Sequence, residues 1–220
     1  YILKVAENNN LRKDPNNEDY LGVTKVQGND TIGYGYDLEK NAATKENDLA
    51  SVGVDTTKPQ AEWKFPNETP GAGEKAAETL LRIIIARKTI EFNNFLDKVG
   101  ITLGESNERT VLLSMWYQLA GGKGESGYFK NANGSNTNLT RALIDGNRAE
   151  AWYEIRYGSS KNGNNGPGVV WRRFAESQLF GLYDTDSDPS NDKDEALQIY
   201  RMYASHREKI LGYEIKFGNI

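Results

Sequence analysis

Residues 20–37 read YLGVTKVQGNDTIGYGYD, and this stretch decides the fold. Val23, Thr24, Val26, Thr31 and Ile32 are β-branched, Tyr20, Tyr34 and Tyr36 are aromatic, and Gly28, Gly33 and Gly35 punctuate them. That composition around a Gly-Asn pair predicts a small antiparallel hairpin turning at Gly28–Asn29. Upstream, YILKVAENNNLR (residues 1–12) has the pattern of a short helix with Glu7 near its end. Downstream, residues 38–72 are polar and hold Pro59, Pro66 and Pro70, which predicts loops with one or two short helical turns.

Helical periodicity takes over from about Glu74. Ala77, Leu81, Ile84, Ile85, Phe92, Phe95, Leu96 and Val99 recur at helical spacing, so one long helix is expected as far as Val99. A second helix, Glu108 to Ala120, is apolar nearly all round through TVLLSMWYQLA and should be buried. The glycines of residues 121–136 lack the G-K-[ST] ending of a phosphate loop and read as turns. LTRALIDGN (139–147) and RAEAWYEIRYG (148–158) follow as short helices, then a Gly/Asn-rich connector at 158–166. A helix from Pro167 to Tyr183 comes next, with proline suited to its first turn, and a last helix runs from Asp194 to about Leu211. The expectation is an α+β fold in a single catalytic domain, residues 1–220. A hairpin lobe at about 14–72 would be joined by the long helix to a helical lobe at about 73–220, which also takes the N-terminal helix. The first residue, Tyr1 rather than Met, suggests a domain cut from a longer protein.

Composition removes several kinds of chemistry. Lys and Arg number 27 against 31 Asp and Glu, and the pI is near 5.3, so no basic stripe points to nucleic acid. There is no cysteine, hence no disulfide, thiolate nucleophile or Cys-based metal site. The single histidine, His206, is too little for the usual catalytic zinc site, and no G-x-S-x-G elbow accompanies it. No apolar run approaches the ~18–20 residues of a membrane span, and the start has no signal-peptide layout. Catalysis therefore falls to carboxylates. Glu7, with a hairpin carrying Thr31 and Asp37, offers an acid and a second carboxyl of the kind that splits a glycosidic bond. On spacing alone an isolated glutamate is far more often a solvated surface charge.

The motifs change that weighting. LKVAE (residues 3–7), followed by TIGYG (31–35), resembles the N-terminal signature of phage-type lysozymes, in which a helix ends on the catalytic Glu and a hairpin ends in Thr-Ile-Gly-x-Gly. LLSMWYQLAGG resembles that family's central helix and its glycine-rich exit, and LTRALIDGNRAEAWYEI the two short helices beyond it. PGVVWRRFAESQLF resembles the C-terminal stretch of the lambdoid members. The four motifs keep the family order from Leu3 to Phe180. One position departs: the second catalytic carboxylate usually stands six residues before the Thr, and here that residue is Lys25. The spacing from Thr31 to Asp37 instead resembles the pesticin-like branch of antibacterial toxins, whose Asp stands six residues after the Thr.

The resemblance implies a phage-lysozyme-like fold and a muramidase that cleaves the β-1,4 bond between N-acetylmuramic acid and N-acetylglucosamine with inversion. Glu7 would be the general acid, with Thr31 and Asp37 positioning the water, and no catalytic cofactor is needed. Asp30 is the fallback, and Glu18 and Asp19 rank lower. Tyr117, Gln118 and Arg172 are candidate substrate contacts, and an arginine of the Arg172–Arg173 pair is a candidate for holding Glu7. Trp63, Trp116, Trp152 and Trp171 read as core rather than sugar platforms. The implied partner is peptidoglycan. For a secreted or periplasm-delivered antibacterial effector, a cognate immunity protein would be a second partner. Neither nucleic acid nor membrane insertion is expected, and the chain reads as a monomer. A phage endolysin, a lytic transglycosylase and an inactive wall-binding module are the alternatives.

A second constellation lies between the last two helices. Asp184, Asp186, Asp188, Asp192 and Glu195 occupy positions 1, 3, 5, 9 and 12 of an EF-hand loop, a spacing that suits a structural calcium ion. Pro189 stands at position 6, where glycine normally supplies a positive φ. The plainer alternative is a solvated acidic loop.

Overall fold

The computed structural model describes residues 19–26, 28–118, 127–158, 167–184 and 192–218. The molecule is α+β: a three-stranded antiparallel sheet precedes a run of helices. It divides into two compact units between Ile90 and Glu91.

In the first unit the strands are β1 (Thr24–Val26), β2 (Asn29–Ile32) and β3 (Tyr36–Asp37), in the order β1-β2-β3. Val26 pairs with Asn29, so Asn29 belongs to a strand and not, as expected, to the turn. Gly28 takes φ 94°, a conformation that a side chain disfavours, which is why glycine closes so short a hairpin. The hairpin also gains a third strand, because Gly33 and Gly35, at φ 64° and 83°, reverse the chain and return Tyr36 and Asp37 against Ile32 and Thr31. At Gly33 an added Cβ would come within 3.3 Å of the Phe65 ring, so the tight turn also needs glycine for packing.

The buried face of this unit is Ile32, Tyr34, Tyr36, Leu38, Leu49, Val54, Trp63 and Phe65. Helix α1 (Lys45–Ala50) contributes a buried carboxylate, Asp48, which accepts from the Tyr36 hydroxyl at 2.8 Å and from Arg87 Nη2 at 2.8 Å. Burial pushes the Asp48 pKa up, but the Arg87, Tyr36 and Thr44 hydrogen bonds outweigh it and hold the group below the usual carboxylate range. Helix α2 (Ala72–Val99) begins here and continues past Ile90.

The second unit is helical: α3 (Asn107–Gln118), α4 (Asn138–Ile144), α5 (Arg148–Tyr153) running into a wider π-turn at Glu154–Gly158, α6 (Pro167–Phe180) and α7 (Lys193–Phe217). The last helix thus extends beyond the expected end at Leu211. Side chains cap several of these helices: Thr137 Oγ1 accepts from the Thr140 amide, and Asn147 Oδ1 from the Glu150 amide. The core is aromatic. Phe92, Phe95, Trp116 and Phe129 pack with ring centroids 5.0–6.5 Å apart. Trp63, Trp116 and Trp152 are buried and Trp171 is half-buried, as packing residues should be.

Candidate active site

Glu7, the predicted acid, and Glu18 lie outside the described residues, so the geometry of the site begins at the hairpin. In a strand, side chains alternate between faces. The register sets Thr24 opposite Thr31 and Thr31 opposite Asp37, so these three side chains form one row across the sheet. Directly opposed residues have Cβ atoms about 4.5–5.5 Å apart. Six positions apart in sequence, Thr31 and Asp37 are neighbours because the Gly33–Gly35 turn folds one onto the other.

Asp37 is held rigidly, with a side chain 15% exposed. Its Oδ1 accepts from the Lys40 backbone amide at 2.8 Å and its Oδ2 from Asn29 Nδ2 at 2.7 Å, with Lys40 Nζ 3.4 Å from the same oxygen. Burial raises its pKa, but the Lys40 amide, the Asn29 amide and the Lys40 ammonium together outweigh burial and keep the carboxyl below its ordinary value of 3.8. At neutral pH it is a fixed anion, suited to accept a proton or stabilise positive charge and unsuited to donate. Thr31 is 7% exposed, and among the described residues its hydroxyl has only a long contact, 3.5 Å, to the Asn29 carbonyl. At that distance the hydroxyl is barely committed and keeps its capacity to orient a water.

Lys25 and Asp30 occupy the opposite face. They pair in register and join in an ion pair of 2.7 Å, and Gln60 Nε2 donates to the other Asp30 oxygen at 2.8 Å. The Lys25 and Gln60 hydrogen bonds hold Asp30 below its usual pKa. The fallback carboxylate is thus turned away from Thr31. Sequence reasoning missed the two residues that fix Asp37. Asn29 was legible, since it stands two positions before Thr31 and shares its face. Lys40 acts through a turn that carries no pattern.

Two of the candidate substrate contacts of the second unit, Gln118 and Arg172, belong to a polar cluster between α3 and α6. Glu176 is fully buried. Its Oε1 accepts from Ser114 Oγ at 2.6 Å and Arg172 Nε at 3.1 Å, and its Oε2 from Arg173. Arg172 also donates to the Ser114 carbonyl at 3.0 Å. Arg173 reaches past Glu176 to Gln118 Oε1, and its guanidinium lies 4.5 Å above the Tyr128 ring. Gln118 is half-buried, its oxygen taken by Arg173 and Tyr128, and its Nε2 meets no acceptor among the described residues. Tyr117 is 5% exposed and packs inward. Glu154, on the π-turn, is pushed up in pKa by burial against the Asn138 hydrogen bond, the direction a general acid requires. Its Oε1 accepts from Asn138 Nδ2 at 3.1 Å.

Of the acidic loop, Asp186 and Asp188 lie outside the described residues. Asp192 Oδ1 accepts from the backbone amides of Asp194 and Glu195 at 3.0 and 2.9 Å and so caps α7. Glu195 Oε1 accepts from the Asp184 amide at 2.7 Å, closing the loop. Asp184, Asp192 and Glu195 border a cavity of about 380 Å³ that Arg148 also lines. No group of three or more His, Asp or Glu side chains among the described residues is arranged to hold a metal.

Comparison with protein-family models, with characterised proteins and with solved structures finds no match for this chain.

Proposed function

We propose that this chain is a peptidoglycan hydrolase, an inverting muramidase with a phage-lysozyme-like fold. The observation that carries the reading is the Thr31–Asp37 pair: a little-committed hydroxyl beside a fixed anion on one face of the sheet. In this mechanism Glu7 protonates the glycosidic oxygen. Thr31 orients a water, and Asp37 takes its proton as the water attacks the opposite side of the anomeric carbon. Gln118, whose amide N–H groups meet no acceptor among the described residues, suits a hydrogen bond to a sugar N-acetyl carbonyl. The sequence motifs around Glu7 and the α6 arginines support the same assignment.

Such chemistry acts outside a cytoplasm, so the chain would work as the lytic domain of an antibacterial effector in a target's periplasm, with an immunity protein in the producer. Calcium in the 184–195 loop would be a structural staple. The test is turbidity clearing of purified peptidoglycan together with mass spectrometry of the products. Reducing muramic ends and loss of lysis in Glu7→Gln are expected. Anhydro-muramic ends would reassign the chain to lytic transglycosylation, and undiminished lysis by Glu7→Gln would remove the acid.

One observation favours a second reading, a wall-binding module without activity. Both oxygens of Asp37 are already satisfied by Asn29 and Lys40, as they would be if the carboxylate served only to close the turn. A chain that binds the wall without clearing it would establish that reading.

A further inference from the structure

Helix α7 is apolar on two sides. One stripe, Ile199, Met202 and Ile210, is buried in the core of its own unit. The other, Leu197, Tyr200, Ala204, Leu211 and Ile215, also recurs at spacings of three, four and seven, and is exposed. Tyr200 is 71% accessible and Ile215 84%. At 3.6 residues per turn this second stripe lies about 140° from the first and runs about 27 Å along the helix. A helix hydrophobic on opposite faces is normally covered on both. Beside the stripe, Tyr200, Tyr203, Ala204, Arg207, Ile210 and Leu211 line a groove of about 390 Å³.

We propose that this face pairs with the same face of a second copy of the chain, helix against antiparallel helix. The stripe suits such a pairing because it is nearly symmetric about its own centre. A two-fold axis at the level of Ala204–Arg207 sets Leu197 against the partner's Ile215 and Tyr200 against the partner's Leu211. Ala204, small and central, lets the helices approach to the 8–10 Å of ordinary helix packing. The charges agree. Arg201 and Glu208 both flank the same edge of the stripe, both are exposed, and neither has an ion-pair partner among the described residues. The two-fold brings Arg201 to the partner's Glu208 and Glu208 to the partner's Arg201. An isologous interface repeats each contact, so one compatible pair of residues gives two ion pairs. A parallel two-fold would carry this edge to the far side of the partner helix and bring neither charge to its counterpart.

Sedimentation equilibrium of the intact chain, from about 1 to 500 µM, tests the pairing. A concentration-dependent dimer is expected, and Leu211→Asp should be monomeric throughout. Arg201→Glu turns two attractions into two repulsions and should weaken association roughly tenfold at low salt. The double exchange Arg201→Glu/Glu208→Arg should restore it. A wild-type monomer at the highest concentration would overturn the proposal and leave the face to a different partner. A dimer unmoved by Arg201→Glu, or not rescued by the exchange, would overturn the antiparallel pairing. All three positions are exposed, so the substitutions leave the core untouched.

Discussion

Replacing Asp37 by Asn separates a catalytic carboxylate from a structural one, because the two roles carry different energies. In the native site Oδ1 accepts from the Lys40 amide, and Oδ2 accepts from Asn29 Nδ2 and faces Lys40 Nζ. Asparagine keeps an oxygen for the Lys40 amide. Its new NH2 group confronts the NH2 of Asn29, a donor against a donor, which rotation of the Asn29 amide by 180° repairs. The Lys40 ammonium loses its anion, but that lysine side chain is 44% exposed and the pair is screened. The stability cost is then about 1 kcal/mol or less, the worth of one ordinary hydrogen bond. Loss of a general base costs far more: a factor of about 10²–10⁴ in rate, or roughly 3–5.5 kcal/mol in the barrier. Initial rates of turbidity clearing, set beside urea unfolding of the same preparation, measure both. The expected outcome is a nearly native unfolding midpoint with a rate at least a hundredfold lower. Lysis within threefold of wild type would refute the base and return Asp37 to the turn.

Three further outcomes follow from the polar clusters. Glu176→Gln leaves two buried guanidiniums without their shared carboxylate and should cost about 3–5 kcal/mol, read as a lower denaturant midpoint; a loss under about 1 kcal/mol would contradict the charge assignment of the cluster. Asp48 has its folded pKa below its ordinary 3.8, so it stabilises the fold above that value, and the contribution is lost as pH falls through the folded pKa. Unfolding monitored by tyrosine fluorescence should therefore show stability dropping below about pH 4 in wild type and dropping less in Asp48→Asn; equal slopes would discount the Arg87–Asp48 pair. A structural calcium in the 184–195 loop requires Tm to rise with added calcium and fall with chelator, by about 2.7 kcal/mol of stability at a hundredfold excess over Kd. An unchanged Tm retires the ion and leaves Asp192 as a helix cap alone.

The helices were legible because their signal is periodic. The apolar spacing from Ala77 to Val99 and the proline at 167 mark elements that the structure contains. The third strand was not legible, since Tyr36–Asp37 is two residues long and exists only because Gly33 and Gly35 take positive φ. The second face of α7 is hidden for another reason: Leu197, Tyr200 and Leu211 are as apolar as Ile199 and Met202, and their exposure in the fold separates them.

The strand register around Thr31 carries information that residue counting does not. Counting residues leaves Lys25, Asp30 and Asp37 as competing positions for a second carboxylate, at distances of six, one and six from Thr31. Strand pairing decides among them on one physical ground, the alternation of faces. Lys25 and Asp30 pair with each other, and Thr31 pairs with Asp37. An acid placed at position 25 in this sheet would sit on the face of Asp30, away from the Thr31 hydroxyl. Lysine there is then no loss to a mechanism centred on Thr31. It forms an exposed ion pair with Asp30, and the only carboxylate on the Thr31 row among the described strands is Asp37. Restoring an acid by Lys25→Asp should accordingly fail to rescue Asp37→Asn. Rescue would mean that the strands shift register when the wall is bound.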